Sequence, residues 1–208
     1  MNNKTYQLKV GFFVVWTLIT AISFFFGFGI FFALGYALED FIPKLTNTVF
    51  GLGIGAVVGY SQWLYLRTKI PVKSFWGLAT AIGLGISFII TAMLYEFGLK
   101  WAGLDQAPDS GTPQWAYSVI YAVGGFLIGL LQFRLLKSNF TKAGFWPAAT
   151  LIAWGACSAL VFLPIIYGGA AIQKPTHFLL TLFTGGILIG VITGIGLLLI
   201  AKTRNQGD

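Results

Sequence analysis

Gln62, Gln132 and Thr193 are the residues in this chain best placed to do polar chemistry in an apolar setting. Each stands three residues after the second of two glycines spaced four apart: Gly55-Gly59-Gln62, Gly125-Gly129-Gln132 and Gly186-Gly190-Thr193. On a helix this i, i+4, i+7 spacing puts all three residues of a set on one face. A second polar set has Thr20, Thr80 and Thr150, each four residues after a tryptophan, Trp16, Trp76 and Trp146. Their faces continue through Ser23 and Gly27, Gly83 and Ser87, and Ala153 and Cys157. An amide offers N–H donors and a carbonyl acceptor, and a hydroxyl offers one donor with two lone pairs. Two uses fit such groups: lining a path for a small polar solute, or fastening helices. Glycines at four-residue spacing let backbones approach, and interhelical hydrogen bonds in lipid contribute roughly 0.6–2 kcal/mol each. A packing device should recur in every copy, and this one does, so fastening is the favoured reading.

The elements that position these residues follow from composition. Hydrophobic residues make up 57% and charged residues 9% of the chain, and the mean hydropathy is +0.82. A soluble globular chain carries about 25% charged residues, so lipid must be part of the solvent here. Six stretches approach or exceed the roughly 20 apolar residues of a membrane helix: about 10–38, 46–66, 74–98, 115–136, 145–171 and 176–201. β-barrel strands would alternate apolar and polar over about 10 residues; these segments are apolar all round. The expected fold is an all-α integral membrane protein of six transmembrane helices. The first apolar run is longer than the ~7–15 residues of a cleavable signal core and reads as a retained span. The one cysteine, Cys157, reads as a small core residue.

The segments repeat. Gly55 to Gln62 overlays Gly125 to Gln132 at an offset of 70 residues, which also places Arg67 over Lys137 and Trp76 over Trp146. Trp16-Thr-Leu-Ile-Thr20 overlays Trp76-Gly-Leu-Ala-Thr80 at an offset of 60. The expected domain is single, residues 1–208, made of helix-hairpin units at about 10–67, 74–137 and 145–202 with a long outer loop at 98–115. All units start and end on the same side, so the copies are parallel and are related by an axis along the membrane normal. The tryptophans that open the odd segments are expected at headgroup level.

Charge sets the orientation. Of thirteen Lys and Arg, ten lie in the N-tail, the loops after the second and fourth segments, and the C-tail (Lys4, Lys9, Arg67, Lys69, Lys73, Arg134, Lys137, Lys142, Lys202, Arg204). The other side holds Lys44, Lys100 and Lys174, with Glu39, Asp40, Glu96, Asp105 and Asp109. The positive-inside rule puts both termini in the cytoplasm. The basic residues serve topology and contact with anionic headgroups rather than nucleic acid.

Catalytic and cofactor signatures are missing from the sequence. There is no phosphate-binding Gly-x-x-x-x-Gly-Lys-[Ser/Thr] loop, and the single histidine, His177, has no Cys or carboxylate cluster beside it that would make a metal site. Gly59-Tyr60-Ser61 begins like a serine-hydrolase turn but continues with Gln62 in place of Gly. No carboxylate falls mid-span, as a proton-coupled carrier would require; Glu96 is expected to pair with Lys100 near the outer end of the third segment. Asp105 and Asp109 on the outer loop are a weak cation signal.

The stretch from Gly55 to Trp76, Gly-x-x-x-Gly-x-x-Gln-Trp-Leu-x-Leu-Arg-x-x-Ile-Pro…Trp, resembles multi-pass bacterial membrane proteins of the cyanobacterial type. The fourth segment departs from the pattern, with Phe133-Arg134 at the Trp-Leu position and no proline in the following loop. The resemblance implies a bacterial inner or thylakoid membrane; such proteins carry no established activity to transfer. The sequence therefore points to a non-enzymatic accessory or interaction subunit, without cofactor, packing against lipid, pigment or another membrane protein. The alternative is a small-solute transporter or channel component with a Thr/Ser/Gln-lined path.

Overall fold

The computed structural model describes residues 8–38, 46–93, 114–162 and 175–201. They form six α-helices: α1 (Val10–Leu38), α2 (Thr46–Leu66), α3 (Phe75–Met93), α4 (Gln114–Leu136), α5 (Trp146–Cys157) and α6 (Pro175–Ala201). No strand occurs among the described residues. Pro147 sits in the first turn of α5, where its missing N–H has no helical partner to lose. A 3₁₀ turn, Ala143–Phe145, leads into α5, and a π turn, Ser158–Phe162, follows it. Four helical stretches are long and apolar enough to cross a membrane: Val10–Phe31, Val49–Leu66, Ala143–Leu160 and Thr176–Ala201. Phe75–Ile90 and Tyr121–Leu136 are shorter apolar helices. Glu96, Lys100, Asp105, Asp109 and the rest of the outer loop up to 113 lie outside the described residues, as do Lys4, Glu39, Asp40, Lys44, Lys174, Lys202 and Arg204.

Each helix packs against its neighbours in sequence, and α6 also packs against α1, so the helices close into a ring. The core inside the ring is built in layers. One cluster holds Trp16, Trp76 and Trp146 with Leu66, Leu136 and Leu197. A second holds Phe24, Leu84 and Trp154 with Val58, Ile128 and Ile189. Each set is drawn from alternate helices at the offsets that align the sequence units. The outer surface is the reverse of a soluble protein's: Leu18, Ile22, Phe26, Leu64, Ile152, Leu180 and Leu199 are all exposed. Apolar side chains on the outside of an apolar bundle require a hydrocarbon solvent.

The loops after α2 and α4 lie at one end of the bundle and touch, because the Asn139 amide donates to the Pro71 carbonyl at 3.3 Å. Both loops also turn an apolar residue inward. Ile70 and Phe140 are buried, and each backbone N–H bonds back to the carbonyl of Leu66 or Leu136 at 2.9 and 3.0 Å.

Candidate functional site

Between the two apolar clusters lies a polar layer. Gln62, Gln132 and Thr193 are 5%, 2% and 3% exposed, and Thr20, Thr80 and Thr150 are buried beside them. A buried amide without partners is costly, so the question is where its hydrogen bonds go. Gln132 donates from Nε2 to Thr80 Oγ1 at 2.8 Å and accepts at Oε1 from Trp146 Nε1 at 2.8 Å. Gln62 makes the same pair one unit earlier, donating to Thr20 Oγ1 at 3.1 Å and accepting from Trp76 Nε1 at 3.4 Å. An indole N–H can only donate, so it must face the amide oxygen, which fixes the orientation of each amide.

Thr80 and Thr193 can accept from a neighbouring helix because their own protons are spent on carbonyls of their own helices. Thr80 Oγ1 donates to the Trp76 carbonyl at 3.0 Å, and Thr193 Oγ1 donates to Ile189 at 2.6 Å. The hydroxyl lone pairs are then left for the neighbouring helix. Thr193 uses one to accept directly from Trp16 Nε1 at 3.0 Å. The bonds thus run α5 to α4 to α3 to α2 to α1 to α6. At the remaining interface, α6 to α5, the chain of bonds is open: among the described residues none joins Thr193 to Thr150. Thr150 instead donates to the Trp146 and Pro147 carbonyls of its own helix at 3.1 and 3.0 Å. A threonine is too short to span where Gln62 and Gln132 do.

The glycine pairs sit at the contact between one unit and the next. A Cβ on Gly55 would stand 2.6 Å from Ala81 Cα, one on Gly125 2.5 Å from the Thr150 carbonyl oxygen, and one on Gly186 2.7 Å from Ala21 Cα. Gly59, Gly129 and Gly190 meet Thr80, Pro147 and Thr17 in the same way. Each even helix therefore lies backbone-close to the odd helix that follows it, with α1 following α6. The amide donation to threonine, by contrast, is made within a unit.

The structure adds which way the tryptophan rings face. Trp16, Trp76 and Trp146 do not present their rings to the bundle surface; they are 0%, 0% and 1% exposed. The rings meet one another in the middle, Trp16 to Trp76 at 6.3 Å and Trp76 to Trp146 at 5.7 Å between centroids. The physical reason is the partner. An indole N–H is comfortable in the interior once an amide or hydroxyl receives it, and each ring has one. The signal was in the sequence: Gln62 to Trp76 and Gln132 to Trp146 are both spaced by fourteen residues.

Three buried hydroxyls, Thr17, Ser118 and Ser158, have no hydrogen-bond partner. His177 is exposed in the first turn of α6, and Cys157 is a buried thiol in the second apolar cluster. Among the described residues no three His, Cys, Asp or Glu side chains come together. Comparison with protein-family models, with curated proteins and with solved structures finds no match for this chain.

Proposed function

We propose that the chain is a six-span integral protein of a bacterial inner or thylakoid membrane, with both termini cytoplasmic. In this reading three parallel hairpin units surround an axis along the membrane normal, and the protein acts as a non-enzymatic accessory or interaction subunit. The observation that carries the proposal is that both amides and the Thr20, Thr80 and Thr193 hydroxyls, which could have lined a solute path, are bonded to one another or to three indoles that meet edge-on or tilted. A path would need those groups to face open space. A filled, hydrogen-bonded centre instead makes a stiff scaffold whose variable surface is its lipid-facing exterior. The touching loops after α2 and α4 carry Arg67, Lys69, Lys73, Lys137 and Lys142, which supports a single positive face.

Native mass spectrometry of the protein extracted gently from its own membrane tests this. A stoichiometric protein partner or bound pigment supports the accessory role. A lone chain or homo-oligomer that retains a small polar molecule overturns it in favour of transport.

A further inference from the structure

The α1–α2 pair carries a groove of about 520 Å³ that opens on the outer surface, within the roughly 300–1,000 Å³ of small-ligand sites. Its walls are aliphatic and aromatic, with the exposed Ile22, Phe26 and Leu64 at its lip. Towards the loop that follows α2 the lining turns polar through Ser61, Tyr65 and Thr68. Cations stand at that end. The Lys69 ammonium lies 5.8 Å from the centre of the Tyr65 ring, and the Arg67 guanidinium covers Trp63 at 4.6 Å. Among the described residues no Asp or Glu offsets them.

We propose that this groove binds one anionic glycerophospholipid, its acyl chain along Ile22, Phe26 and Leu64 and its phosphate at Lys69 and Tyr65. The gradient from hydrocarbon walls to hydroxyls to an ammonium matches the order of groups along such a lipid. A zwitterionic lipid brings its own cation to the phosphate and has less use for Lys69. The groove belongs to this helix pair and not to the repeat. On α4 the positions matching Ser61 and Tyr65 are Leu131 and Leu135. On α3 the position matching Ser23 is Gly83, against which Ile128 packs so closely that a Cβ would meet it at 2.5 Å. Ser23, one of the groove's lining residues, keeps a side chain where α3 has none.

The test is native mass spectrometry of the purified full chain, titrated with phosphatidylglycerol and with phosphatidylcholine of identical acyl chains. One phosphatidylglycerol is expected to be retained preferentially. Lys69→Gln, in an exposed turn, should weaken that retention about fivefold, the worth of one cation near an anionic surface, and leave phosphatidylcholine unchanged. Ser61→Trp should block the groove and abolish preferential retention, with a melting curve confirming the fold. Lys137→Gln, at the position matching Arg67 after α4, should change nothing. Equal retention of the two lipids, or wild-type binding by Lys69→Gln, overturns the site.

Discussion

Trp146 and Gln132, fourteen residues apart in sequence, are joined across the α4–α5 contact by a hydrogen bond of 2.8 Å from indole Nε1 to amide Oε1. The matching pair one unit earlier, Trp76 and Gln62, is stretched to 3.4 Å. The donations from the two amides to threonine differ in the same sense, 2.8 Å against 3.1 Å. The two glutamines hold equivalent positions in sequence, yet Gln132 is the better-engaged fastener.

Gln132→Leu should therefore destabilise the bundle by about 1–3 kcal/mol, the cost of leaving a buried donor such as the Trp146 N–H unsatisfied. Gln62→Leu should cost less. Thermal or denaturant unfolding in detergent reads the difference, and Trp146→Phe combined with Gln132→Leu should cost less than the sum of the two single changes. A larger loss for Gln62→Leu would contradict the geometry.

The threonines separate more sharply. Replacing Thr by Val keeps the shape and removes the hydroxyl. Thr80 and Thr193 each accept a bond from a neighbouring helix, so Thr80→Val and Thr193→Val should each cost about 1–3 kcal/mol through the donor left behind. Thr150 bonds only to carbonyls of its own first turn, and such back-bonding contributes little to a helix. Thr150→Val should stay near wild type in the same unfolding measurement. Equal losses at all three would mean that the hydroxyls act through packing, not through bonds between helices.

Glycine positions make a paired test. Gly55→Ala would drive a methyl to 2.6 Å from the Ala81 Cα, a backbone atom that cannot swing aside. Such overpacking costs typically about 1–3 kcal/mol. Gly29 on α1 has nothing within 4 Å of a Cβ, so Gly29→Ala should be neutral or stabilising by roughly 0.5–1 kcal/mol through its better helix propensity. Melting temperatures of the two variants should move in opposite directions or differ clearly in size.

Much of this arrangement can be read from the chain, for physical reasons that vary by residue. The helices follow from uninterrupted apolar length, and the polar layer follows from Gly-x-x-x-Gly-x-x-Gln, where small and polar residues share one face. What the spacing does not reveal is which helix a face meets. Gly55 and Gln62 lie on the same stripe, but the glycine approaches α3 while the amide donates to α1. A single stripe thus serves two neighbours. The inward packing of the tryptophans is hidden for a related reason. Near the end of an apolar run, an indole that anchors at the headgroups and an indole that caps a buried amide look alike unless the donor's partner is known. The α1–α2 groove was not legible at all, because it depends on how far apart two packed helices stand.

The orientation of the bundle can be tested through the contact between its two basic loops. Asn139 bonds to the Pro71 carbonyl, so the turns following α2 and α4 share one face whatever the direction of insertion. Single cysteines at Thr68 and at Ser138, both in exposed turns, should consequently label together. If the positive face is cytoplasmic, both stay unmodified by a membrane-impermeant thiol reagent in intact cells and react once the cells are opened. The native Cys157 is 0% exposed and packed in the second apolar cluster, so it should stay silent throughout and need not be removed. Labelling of both sites in intact cells would reverse the orientation and leave the fold standing. Labelling of one alone would break the link between the two loops, and with it the parallel arrangement of the hairpin units.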